Sequence, residues 1–141
     1  PGEEGQIDVT LKIGAKVGNQ KQTITVRSNV EALPIQTLIL KVNRPELVKI
    51  SPKLLVWKKG DGAVSKQTIL PVDSDEEIDL SLAANEFKNF DVELNYSDET
   101  STYTLNVTPK QTDKRAYDNI RISSDYPKEN PKTYKVFAHV R

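Results

Sequence analysis

The sequence predicts an all-β chain with an immunoglobulin-like β-sandwich architecture. It comprises one complete domain preceded by the C-terminal strands of another. Three observations predict this. Val, Ile and Thr make up about a quarter of the 141 residues, and such branched side chains lose χ1 freedom in helices but pack well on a pleated surface. Apolar residues recur with period two in short runs separated by turn signals, which describes a sandwich or barrel. A strand–loop–strand pattern occurs twice, with Ile24 and Ile120 in equivalent places 96 residues apart, and an immunoglobulin-like sandwich needs about 100 residues.

The elements follow in order. Ile7, Val9, Leu11 and Ile13 alternate with Asp8, Thr10 and Lys12 and read as a half-buried strand. Gly14 to Gln22 is polar, with two glycines, and reads as a turn or loop. Ile24 and Val26 define a second strand, and a loop runs from Ser28 to Pro34. Leu38, Leu40 and Val42 define a third, ended at Arg44-Pro45 because proline has no amide for the sheet ladder. Residues 47–50 and 54–57 read as short strands split by Ser51-Pro52. Lys58-Lys59-Gly60-Asp61-Gly62 is a strong turn signal, and 64–72 is extended. The acidic stretch 73–79 leads into Leu80 and Leu82, and residues 82–90 have room for one helical turn. Further strands centre on Val92–Tyr96, Tyr103–Val107, Ile120–Ile122 and Val136–Val140.

The repeat sets the domain boundaries. Ile24-Thr25-Val26-Arg27-Ser28-Asn29, then Pro34, then Leu38 to Val42, corresponds to Ile120-Arg121-Ile122-Ser123-Ser124-Asp125, then Pro131, then Val136 to Val140. Upstream, Val9 to Ile13 corresponds to Tyr103 to Val107. Residues 1–45 therefore read as the last three strands of a truncated domain, and 46–141 as a complete sandwich. Three strands cannot bury an apolar face alone. Cover for Ile7, Val9, Leu11, Ile24, Val26, Leu38 and Leu40 is expected from the second domain or from another copy of the chain.

These residues also carry a resemblance. Pro1-Gly2, the alternation from Ile7 to Ile13, a glycine-bearing loop with Gly18, and Ile24-Thr25-Val26-Arg27-Ser28-Asn29 resemble the C-terminal half of the Hydin-like (ASH-type) immunoglobulin-like domain, in the version found in bacterial exported proteins of unknown function. The likeness covers about 1–45 and extends weakly over 100–141, where Asp125 stands for Asn29. It implies a PapD-like or immunoglobulin-like sandwich, no catalytic centre, and a structural or interaction role; no cofactor is expected.

Composition narrows the functions. Twenty basic and twenty acidic side chains give a net charge of zero, so there is no general attraction to nucleic acid or anionic lipid. The absence of Cys excludes disulfide and thiolate-zinc scaffolds, and a single histidine, His139, argues against histidine-based metal or triad chemistry. The longest apolar run is about four residues, against roughly 20 for a membrane span. The chain has no Met, so a leader or an upstream domain is expected before Pro1. Zero Cys suits an exported, periplasmic or cell-surface protein, which is the expectation here, and suits a cytosolic one nearly as well.

Two groups stand out as candidate sites. Trp57, the lone tryptophan, is either a sugar-stacking platform or a core side chain with its indole N–H partnered. Asp73, Asp75 and Glu77 alternate as Ca²⁺ ligands do, but Ile78 and Ala84 stand where an EF-hand needs Gly and Glu, so a solvated acidic loop is favoured. Two matches to the N-glycosylation pattern, Asn95-Tyr96-Ser97 and Asn106-Val107-Thr108, carry no weight by themselves. The sequence thus points to a non-catalytic spacer, scaffold or adhesion module of a larger exported protein. Its partner would be a protein or a neighbouring domain, taken up by strand addition at an open edge in 47–57 or 64–72. The alternative is a carbohydrate-binding accessory module anchored on Trp57.

Overall fold

The computed structural model describes residues 4–12, 16–83 and 87–141. The described residues contain strands and no helix. The helical turn expected within 82–90 lies partly outside them. The chain forms two compact units, Pro1–Glu46 and Leu47–Arg141.

The first unit is a two-stranded antiparallel hairpin of β1 (Gly18–Arg27) and β2 (Ile35–Arg44). Ile24 faces Leu38, Gln22 faces Leu40 and Gln20 faces Val42. The strand begins at Gly18, four residues before the expected loop ends. Its polar start, Asn19 to Gln22, pairs residue by residue with Asn43 to Leu40, because the ladder bonds backbone groups whatever the side chains are. Gly18 has φ +91°, a conformation that L side chains rarely adopt. The loop is closed by Ser28, whose amide donates to Pro34 O at 3.0 Å and whose hydroxyl accepts the Val30 amide at 3.3 Å.

Residues 7–12 correct the sequence reading, since they form no strand and Ile7 is 70% exposed. Ile13 lies outside the described residues. Alternation offers an apolar face, but a strand also needs a neighbour to satisfy its amides and carbonyls. The matching segment near Tyr103 has a neighbour on each side, whereas no described residue of the first unit pairs with 7–12. Among the described residues the hairpin's apolar side chains are at best partly covered, for Ile24, Val26 and Val42 are half-buried while Leu38 is 53% exposed and Ile39 61%.

The described residues of the second unit form seven strands in two sheets. They are β3 (Leu54–Trp57), β4 (Lys66–Pro71), β5 (Leu80–Leu82), β6 (Phe90–Ser97), β7 (Thr102–Pro109), β8 (Ala116–Ser124) and β9 (Thr133–Val140). One sheet has the order β3-β9-β8-β5 and the other β4-β7-β6. All pairs are antiparallel except β3 with β9, where Leu54 to Trp57 run alongside Phe137 to Val140. Residues 47–50, expected as a strand, make only isolated contacts with the second sheet. Val48 bridges to Val72 and Ser51 to Ile69 before the chain crosses to the first sheet as β3. The edge-strand candidates 47–57 and 64–72 thus supply β3 and β4, each outermost in its sheet.

Alternate residues from both sheets meet in one core. Tyr103, Leu105 and Val107 of β7 join Leu70 and Phe90 from one sheet, and Leu55, Trp57, Ile120, Ile122, Val136 and Ala138 come from the other. Burial of each large aliphatic or aromatic side chain contributes about 1.5–3 kcal/mol, so the core dominates stability and makes the unit a two-layered, sandwich-like body. Asn119 Oδ1 is buried without a hydrogen-bond partner, but other polar groups of the unit are satisfied. The buried Thr68 hydroxyl donates to Pro52 O at 2.9 Å. Asp118 carries Asn89 through the Asn89 amide at 3.2 Å and its side-chain nitrogen at 3.3 Å, fixing the entry to β6 from β8.

The β8–β9 hairpin pairs Ile120 with Val136, Asp118 with Ala138 and Ala116 with Val140. Ser124 closes its loop, its amide donating to Lys132 O at 2.9 Å and its hydroxyl accepting the Tyr126 amide at 3.1 Å.

Candidate functional site

Trp57 is 1% exposed, which removes it as a sugar platform. Alternation along β3 sends Leu55 and Trp57 inward. The indole ring lies 5.4 Å from Phe90, centroid to centroid, and its Nε1–H donates to Val64 O at 2.7 Å. Lys66 Nζ sits 5.2 Å from the ring centroid and donates to Val56 O. Trp57 is therefore a core residue whose one polar atom is satisfied.

The acidic stretch has a mixed fate. Asp73, Asp75 and Glu77 are exposed, whereas Ile78, directly after them, is buried. The described residues include no group of three or more carboxylates, histidines or cysteines arranged to hold a metal ion. With Tyr96, Asp98 and Tyr103, the stretch lines a cleft of about 310 Å³. Tyr103 forms its inner wall. The Leu80 amide donates to its hydroxyl at 3.2 Å, and the hydroxyl donates to Ile78 O at 3.4 Å.

Burial pushes the Tyr103 phenol above the ordinary tyrosine value of 10.0, and nearby Asp79 adds to the rise against the opposing Leu80 amide. An acid whose folded value is raised gives its full stabilisation below the unfolded value, and that share is lost as pH rises through the folded one. Stability should therefore decline above about pH 10 by a component that Tyr103→Phe removes. At neutral pH the same variant should cost about 1 kcal/mol for the lost hydrogen bond. Urea midpoints of both proteins at neutral and alkaline pH check both outcomes.

A third group was not legible as a cluster in the sequence. Along β8 the even-numbered residues face the core and Tyr117, Asn119 and Arg121 face outward, and along β9 Lys135, Phe137 and His139 face outward. Register brings these together, with Tyr117 opposite His139 and Asn119 opposite Phe137. The Tyr117 ring meets His139 edge-on at 4.6 Å and lies nearly parallel to Phe137, 19° between planes, at 6.4 Å. Tyr117 is 51% exposed, while Phe137 and His139 are half-buried. At the end of the hairpin a shallow depression of about 450 Å³ is lined by Arg115, Ala116, Tyr117, His139, Val140 and Arg141. The signal that could have found it is the outward set of two strands read as a paired hairpin.

No helix of the described residues is long and apolar enough to cross a membrane. No family model, curated protein or solved structure matches the chain.

Proposed function

We propose that the chain is a non-catalytic structural and interaction module, built from immunoglobulin-like sandwiches in tandem and belonging to a larger exported protein. The observation that carries this is the strand order of the second unit. With β3 to β9 taken as strands A to G, β4-β7-β6 is the B-E-D sheet and β5-β8-β9 the C-F-G sheet of the immunoglobulin plan. The first strand touches both sheets, bridging to β4 before it joins β9. The hairpin β1–β2 then corresponds to the F and G strands of a sibling unit. Two facts support that correspondence: Ile24–Leu38 and Ile120–Val136 are equivalent pairs, and Ser28 and Ser124 close their loops through the same amide-to-hydroxyl bond two residues on. The resemblance to Hydin-like domains of exported proteins points the same way.

The mechanism is geometric: a packed core holds the unit rigid, and the unit sets distances between whatever is attached to it. β3 near one end of the second unit lies parallel to β9 at the other. Pulling Leu47 and Arg141 apart loads that ladder in shear, so its bonds must fail together. Single-molecule stretching tests this. The expected result is one cooperative rupture at higher force through Leu47 and Arg141 than through Asp91 and Thr108, paired residues at the open end of the β6–β7 hairpin, where the two strands unzip bond by bond. Equal forces, or gradual extension from the ends, would contradict a load-bearing spacer.

A further inference from the structure

We infer that the outward face of the β8–β9 hairpin, at the depression between Arg115 and Arg141, binds carboxylate-bearing sugars of an acidic polysaccharide. This goes beyond the spacer reading and does not depend on the immunoglobulin plan. The pieces are a half-exposed Tyr117 ring, a second ring of Phe137 nearly parallel to it, and two arginines lining the same open depression. An exposed tyrosine face offers the apolar C–H face of a pyranose a flat partner, and the phenol or imidazole edge meets its hydroxyls. Guanidinium groups pair with carboxylates through two parallel hydrogen bonds. The other charged side chains at the outward positions of β8 and β9 are Arg121 and Lys135, so this face adds no carboxylate to repel the ligand. Asp118, the acid within β8, belongs to the opposite set and is engaged by Asn89.

The volume, about 450 Å³ and open to solvent, suits one or two sugar rings of a longer chain laid across the face. A single-stranded nucleic acid also stacks on aromatics, but it needs cations tracking a run of phosphates. Here the arginines lining the depression are two, Arg115 and Arg141, which fits one carboxylate per contact better than a run of phosphates.

The test is a titration of the whole chain with a galacturonic acid oligomer, followed by backbone amide NMR shifts, with maltodextrin, oligo-thymidylate and polyglutamate as parallel arms. The inference expects saturable shifts centred on Arg115–Tyr117 and His139–Arg141 with the galacturonate oligomer, weaker binding of the neutral glucan, and little with the other two. Tyr117→Ala should weaken galacturonate binding about tenfold or more, the equivalent of about 1.4 kcal/mol. Arg115→Ala combined with Arg141→Ala should abolish the preference for the charged over the neutral sugar. All these positions are at the surface, and retained Trp57 emission confirms that each variant folds. Absence of shifts at millimolar sugar, shifts elsewhere only, Tyr117→Ala binding unchanged, or equal or tighter binding of the thymidylate or polyglutamate would overturn the inference.

Discussion

Trp57→Ala is expected to lower the stability of the second unit by about 3–5 kcal/mol, the range for removing a large aromatic from a packed core. The ring is buried, stacks obliquely on Phe90 at 5.4 Å, and touches the region where the two sheets share side chains. The hydrogen bond to Val64 O adds only about 1 kcal/mol to this loss, the net worth of a typical neutral hydrogen bond. Trp57→Phe should therefore cost distinctly less than the alanine variant, since most of the packing survives. Urea unfolding followed by circular dichroism measures both. A loss below about 1 kcal/mol for the alanine variant would place the indole outside the core.

Ile120→Ala is expected to cost about 2–5 kcal/mol, whereas Ile24→Ala, at the equivalent place in the first hairpin, should cost less than about 1 kcal/mol. The two isoleucines share their strand register, facing Val136 and Leu38. Their surroundings differ. Ile120 is 0% exposed beneath the β4-β7-β6 sheet, while Ile24 is half-buried in a two-stranded hairpin whose own unit has no second sheet among the described residues. Cavity cost follows the number of atoms that lose a partner, so the same substitution reads out cover rather than chemistry. Equal losses at the two positions, measured as urea midpoints, would mean that the first hairpin is buried in solution. The tandem reading would then need a partner for it, such as a second copy of the chain.

Much of the fold was legible because burial imposes period two. Tyr103, Leu105 and Val107, or Val136, Ala138 and Val140, alternate cleanly since one face of each strand meets the core. The same rule misread Ile7 to Leu11, where alternation exists without a neighbouring strand. It also missed the start of β1, where Asn19 to Gln22 are polar yet pair with β2. The candidate site was harder to see. Trp57 is core because it falls on the inward parity of β3, a fact its hydrophobic neighbours Leu54 to Val56 do not fix when all four residues are apolar. Tyr117, Phe137 and His139 are 20 or more residues apart as Tyr117 to Phe137 and Tyr117 to His139, and only cross-strand register unites them.

The central claim is that Leu47–Arg141 is a self-sufficient sandwich, with all seven of its strands contributing to one core. Equilibrium urea unfolding of that segment alone, beside the whole chain, tests it most directly. The account predicts a single cooperative transition, a blue-shifted Trp57 emission in the folded baseline, and a midpoint matching that of the whole chain. A segment that unfolds without cooperativity, or whose tryptophan emits like one in water before any urea is added, would contradict it.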